Sequence, residues 1–238
     1  MSTRRLLGLS FVAGLLAALG HAPFGLWPVS LAGLALMLGC GAGALPPTPG
    51  YYETRDGGRR RSAWVAWAGG VGYFALSLSW IVEPFLVDVA RHGWMAPFAL
   101  VFMAAGLALF WALAGWIAGG RLLIFVAALA AAEMLRGHVF TGFPWALPAY
   151  IWADTPVRMI AALVGPYGLS FITLFLAALP VLLRGRQSPR PLWQGTGILV
   201  LFLALAGLQG YGFLLKASPQ SSYDLGTVRL VQPLSLIH

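Results

Sequence analysis

The chain has 238 residues, of which 59% are hydrophobic and only 9% charged, and its mean hydropathy is +0.81. That is more apolar surface than one water-soluble core of this length buries, which excludes an ordinary soluble domain and points to an all-α polytopic membrane protein. The net charge of +8 does not indicate a nucleic-acid partner, because the basic residues fall in short clusters between apolar runs and form no stripe along one face.

In chain order, Arg4 and Arg5 precede a first apolar run, Leu6 to Leu19. It resembles a secretory leader, but a second apolar run follows at once and Gly20-His21-Ala22 is a poor cleavage site, so an uncleaved first span is predicted. A tight turn at His21 to Pro28 leads into a second span, about Trp27 to Ala44, with Phe24 and Trp27 suited to an interface. Composition then changes at Leu45-Pro46-Pro47, and a loop with Arg55, Arg59, Arg60 and Arg61 is expected as far as Ser62. A third span covers about Ala63 to Val82, followed by a polar connection with Glu83, Asp88, Arg91 and His92. Trp94 to Ile117 is long enough for a fourth span. After a Gly119-Gly120-Arg121 turn, Leu122 to about Phe140 makes a fifth. Val157 to Leu183 is interrupted at Gly165-Pro166, which predicts a short interfacial or re-entrant helix and then a sixth span from about Tyr167. A seventh runs from about Leu192 to Leu215.

Residues 1–216 thus form a helical membrane domain, and 217–226 read as a polar linker. Residues 227–238 alternate enough to be the first β-strand of a soluble domain that does not continue, so a truncated protein is expected. With the N-terminus in the cytoplasm, Arg4, Arg5, the Arg55–Arg61 cluster, Arg121, Arg184, Arg186 and Arg190 all lie inside. Arg91, Arg136, Arg158, Lys216 and Arg229 then lie outside, together with Glu83, Asp88, Glu133, Asp154 and Asp224; ten basic residues inside against five outside is the direction the positive-inside bias requires.

The most informative stretch is Glu133 to Pro156. Glu133 and Arg136 are three residues apart, so on a helix they share a face and can neutralise each other. An unpaired charge near the centre of a spanning helix costs about 2.5–3.5 kcal/mol on insertion scales, so pairing or an interfacial position is expected. Two readings stand side by side: a salt bridge at a helix end, and contact with lipid or substrate. Beyond Gly137 the breakers Gly142, Pro144 and Pro148 end the helix, while Phe143, Trp145, Tyr150 and Trp152 suit the headgroup layer. Asp154 or Thr155 can cap the next helix, with Pro156 in its first turn. Cys40 is the single cysteine, so an intrachain disulfide and a Cys-based metal cluster are excluded; inside an apolar run it reads as a small buried hydrophobe. The four histidines have no metal-ligand spacing, and no metal and no cofactor are expected.

Several motifs together resemble the bacterial apolipoprotein N-acyltransferase family. They are Ala22-Pro23-Phe24-Gly25-Leu26-Trp27-Pro28, Ser79-Trp80 at the end of the Gly-rich third span, and Glu133-Met134-Leu135-Arg136-Gly137. Thr141-Gly142-Phe143-Pro144-Trp145 is the most specific, with Gly168-Leu169-Ser170-Phe171 and Val228-Arg229-Leu230-Val231-Gln232-Pro233 following. Their order and spacing cover nearly the whole chain.

The resemblance implies eight spans in the bacterial inner membrane and a nitrilase-like domain on the outer side between the seventh and eighth. That domain carries a Glu general base, a Lys that supports the oxyanion and a Cys nucleophile. The Cys takes an acyl chain from a phospholipid donor as a thioester and passes it to the terminal amine of a diacylglyceryl-cysteine apolipoprotein. None of the three catalytic residues falls on this chain, and Cys40 lies in the wrong domain to replace one, so this polypeptide alone is expected to be inactive. Leu234 to His238 depart from the family pattern and are suspected not to be native continuation. The lipid- or substrate-contact candidates are Trp80, Glu133, Arg136, Phe143, Pro144 and Trp145, with the stretches Trp80–His92 and Thr141–Trp152 lining a lateral opening. A multi-pass transporter and a non-catalytic membrane scaffold remain the alternatives.

Overall fold

Where no water reaches the backbone, an apolar run must satisfy its own N–H and C=O groups, and it does so as a helix. In the computed structural model, which describes residues 3–43, 55–139 and 141–184, every long apolar run is helical and no strand occurs among the described residues. The helices are α1 (Thr3–Ala18), α2 (Trp27–Gly41), α3 (Arg55–Ser77), α4 (Val89–His92), α5 (Ala96–Ala118), α6 (Leu122–Arg136) and α7 (Ala161–Arg184). Short 3-10 helices at Ser79–Leu86, Gly93–Met95, Pro148–Trp152 and Pro156–Ile160 fill the connections.

The third helix begins eight residues earlier than the loop expected up to Ser62. Arginine is a good helix former, and the extra turns are held against neighbours: the Arg59 guanidinium lies 5.0 Å over the Trp116 ring, and Ser62 Oγ donates to the Gly41 carbonyl at 2.9 Å.

α3 is the centre of the bundle, with α1 on one side and α5 on the other; α2 packs on α1, α6 on α5, and α7 closes against α2 and α6. Small residues let these helices approach closely. A Cβ on Gly14 would lie 1.9 Å from the Gly69 carbonyl oxygen, and one on Gly33 would lie 2.4 Å from the Ala17 nitrogen. Buried hydroxyls then tie helix to helix: Ser10 Oγ donates to the Val65 carbonyl at 2.7 Å and Ser30 Oγ to the Ala17 carbonyl at 2.5 Å.

Among the described residues two helical stretches, Val89–Ala118 and Pro156–Leu183, are long and apolar enough to cross a membrane. The pair Gly57–Ser77 and Ser79–Leu86, bent by 46°, makes a third if it counts as one span. The expectation of about seven spans is therefore not reproduced. α2 and α6 have 15 residues each and α1 has 16, or about 23 Å of helix against a hydrocarbon core of about 30 Å. The seventh span and the strand at 227–238 lie outside the described residues. The break expected near Gly165 is present: Gly165 has φ 71° and ψ 172°, which splits Ala161–Val164 from the rest of α7. The Gly119 turn also forms as expected, with Gly119 left-handed at φ 55° and its N–H bonded to the Gly115 carbonyl.

Candidate functional site

α6 stops at Arg136 because Gly137 and the breakers behind it give the helix nothing to continue into. The last turn carries Glu133 and Arg136 on its inward face, 0% and 2% exposed. Arg136 Nη2 donates to Glu133 Oε2 at 2.5 Å, and Trp111 Nε1, from α5, donates to Glu133 Oε1 at 2.6 Å. The pair thus sits in the last turn of α6, enclosed against α5. Of the two ways to tolerate these charges, pairing is the one used. The guanidinium also lies 5.1 Å over the Phe74 ring, in a floor of Tyr73, Phe74 and Trp111 whose rings meet at centroid distances of 4.9–5.3 Å.

The other terminal nitrogen of Arg136 reaches forward to the loop, while Nε stays buried without a hydrogen-bond partner among the described residues. Nη1 donates to the Phe143 carbonyl at 2.5 Å and to the Trp145 carbonyl at 2.9 Å. A charged donor on a carbonyl is stronger than a neutral one, so the Gly/Pro-broken segment, which has no helix ladder, is held by a buried side chain instead. Gly142 turns the chain at φ 77°, in a place where a Cβ would meet the Gly137 carbonyl oxygen at 2.5 Å.

The six candidate residues therefore divide. Glu133 and Arg136 are enclosed and touch loop and core; Phe143 is half-buried and packs on the core. Pro144 and Trp145 point outward, Trp145 being 55% exposed. Trp80, from the 3-10 helix after α3, is 48% exposed and meets Trp145 edge-on at 5.8 Å. No residue from Ser79 to Met95 is buried, and Val87, Trp94 and Phe98 are likewise exposed.

Beyond Trp145 the chain turns inward again. Trp152, expected in the headgroup layer, is 6% exposed; its Nε1 donates to Thr173 Oγ1 at 2.8 Å and its ring meets Trp27 at 5.3 Å. Thr155 precedes the Pro156 helix as expected, but its hydroxyl donates back to the Trp152 carbonyl and does not cap. Cys40 is fully buried against Leu6 and Val65, and no cluster of metal-ligating side chains occurs among the described residues. Sequence reasoning missed Trp111 and Phe74. The usable signal was the need of a buried carboxylate for a second donor, which an apolar helix offers only through Trp, Tyr, Ser or Thr.

Residues 13–179, which include the whole of this arrangement, match the family described as Apolipoprotein N-acyltransferase N-terminal domain. The chain belongs to that family. It is 45% identical over 236 residues to the apolipoprotein N-acyltransferase of Caulobacter vibrioides, covering 94% of this chain and 41% of that protein. It is 36% identical over 238 residues to the enzyme of the same name from Brucella melitensis, covering 94% and 43%. The chain thus spans about two fifths of the length of the curated relatives it matches. Within the family frame, the clamp of Glu133, Arg136 and Trp111 belongs to the N-terminal domain.

Proposed function

We propose that this chain is the inner-membrane platform of an apolipoprotein N-acyltransferase. In this reading Trp80 and Trp145 edge a lateral opening for the phospholipid acyl donor and the diacylglyceryl apolipoprotein acceptor. The observation that carries it is the division of labour at the loop. Trp145 faces outward beside Trp80 while its own carbonyl is fixed from within by Arg136, an arrangement that spends a buried ion pair on holding one exposed aromatic in place. Such rings have an apolar body suited to acyl chains and a polar N–H suited to the headgroup level.

In this reading the chemistry runs through a Cys thioester on a nitrilase-like Glu-Lys-Cys set, and buried Cys40 takes no part. The N-terminus lies in the cytoplasm and the loop on the outer face, in line with the arginine distribution. Two experiments test the reading. A photoactivatable phosphatidylethanolamine in nanodiscs is expected to label the loop at 141–147 and the segment 80–86; labelling that leaves both untouched and falls elsewhere refutes the opening. Reporter fusions at residue 87 are expected to be active only outside the cytoplasm, and a cytoplasmic signal there refutes the orientation.

A further inference from the structure

The loop is held at a second point, by residues on two other elements. Tyr73 Oη, from α3, donates to the Ala146 carbonyl at 3.1 Å, and His21 Nε2, from the turn between α1 and α2, lies 2.7 Å from the same hydroxyl. A phenol has one proton to give. Since Ala146 offers only a carbonyl, Tyr73 gives its proton there and accepts from His21, which requires a proton on Nε2 of the imidazole.

His21 is itself seated. Its N–H bonds to the Ala18 carbonyl, and its own carbonyl takes the N–H groups of Phe24 and Gly25 at 3.0 and 3.1 Å. Its ring stands edge-on to Tyr73 at 5.4 Å. Both side chains are buried.

The conformation of Ala146 explains why two clamps are needed. In extended backbone, successive carbonyls point to opposite sides, so Arg136 alone could draw in the Trp145 carbonyl while the next one turned away. Ala146 instead has φ 55°, the left-handed region that an L-residue adopts only at a cost. With φ on that side the chain departs from the extended course, and both consecutive carbonyls find buried donors. The carbonyl of residue 145 then meets Arg136 and that of residue 146 meets Tyr73, with the Trp145 side chain turned outward between them.

We propose that His21 and Tyr73 are positioning residues for Trp145: through the Ala146 carbonyl they hold the left-handed turn that aims its indole at the lipid. This rests on the reading of Trp145 as a lipid contact, and it adds to that reading a link from the α1–α2 turn to the opening. Neither residue touches the lipid.

The test uses the chain in phosphatidylethanolamine nanodiscs carrying a photoactivatable acyl chain, with amide hydrogen exchange of the 141–147 peptide as a second readout. In Tyr73→Phe and His21→Ala the loop amides are expected to exchange about tenfold faster or more, and lipid labelling at the loop is expected to fall severalfold. His21→Gln, whose amide N–H can still donate to Tyr73, is expected to restore both, which general loosening of the fold would not produce. If Tyr73→Phe does not fold, the His21→Ala and His21→Gln pair carries the test. Unchanged loop exchange in His21→Ala overturns the clamp, and so does failure of Gln to rescue. Faster exchange with undiminished labelling overturns the positioning role. Separately, undiminished labelling in Trp145→Ala overturns the lipid-contact reading, and the clamp then stands or falls on exchange alone.

Discussion

Replacing Arg136 by Met keeps most of the apolar stem and removes the guanidinium. Glu133, 0% exposed, is then left with Trp111 Nε1 as its only side-chain donor among the described residues, and the Phe143 and Trp145 carbonyls lose the Arg136 guanidinium. Breaking a buried ion pair from one side costs about 3–5 kcal/mol. Each unsatisfied buried carbonyl adds about 1–3 kcal/mol, but Phe143 is only half-buried and Trp145 is exposed, so the loop can relax and this part stays at the low end. The ion-pair effect dominates, and a loss of about 4 kcal/mol is expected. For a chain of this length that lowers the melting temperature by about 8–16 °C, measured by thermal unfolding in detergent micelles or nanodiscs. Glu133→Gln/Arg136→Met buries no charge and still accepts from Trp111, so it is expected to recover at least half of the loss. A loss below about 1 kcal/mol in the single variant, or a double variant no more stable than the single, refutes the claim that a buried charge pair holds the loop.

Trp145→Ala loses an exposed ring and one edge contact to Trp80, so stability is expected to change by less than about 1 kcal/mol; a loss in melting experiments as large as that of Arg136→Met contradicts the outward placement. Gly14→Ala drives a methyl to 1.9 Å from the Gly69 carbonyl and is expected to destabilise by about 3 kcal/mol or to block folding. Gly8→Ala on the same helix meets nothing within 4 Å and is expected to be neutral or stabilising by about 0.5–1 kcal/mol, with both read from the same melts. Burial lowers the imidazole of His21, in the turn outside the helices, to about 4. The unfolded chain takes up a proton near pH 6.5 that the folded one refuses, so stability is complete above pH 6.5 and falls as pH drops toward 4. The total is about 3 kcal/mol, and His21→Gln is expected to flatten that slope of melting temperature against pH.

Much of this was legible in the residues, for reasons that differ from element to element. The Gly119-Gly120-Arg121 turn and the Gly165 break follow from local chemistry, since left-handed backbone calls for glycine wherever it occurs in sequence. Glu133 and Arg136 announced a pair because the spacing of a helix is fixed. The start of α3 was misplaced because a run of arginines looks solvated in sequence; its turns form where the guanidinium of Arg59 finds the Trp116 ring, a partner 57 positions away. The inward course of Trp152 was equally hidden, because an indole suits a headgroup layer and a hydroxyl-lined core alike, and the hydroxyl that decides it is on α7.

By itself the sequence determined the helical membrane class, the main breaks and the family, because hydropathy, glycine and proline act over a few residues and a run of motifs in order is specific. Only the tertiary structure decided which candidates face out and which are enclosed. It set Trp111 against Glu133, gave Arg136 two carbonyls of the loop, and brought His21 and Tyr73, 52 positions apart, onto Ala146. A hydrogen bond constrains direction as well as distance, and a linear pattern of residue types carries neither between elements that are far apart in the chain.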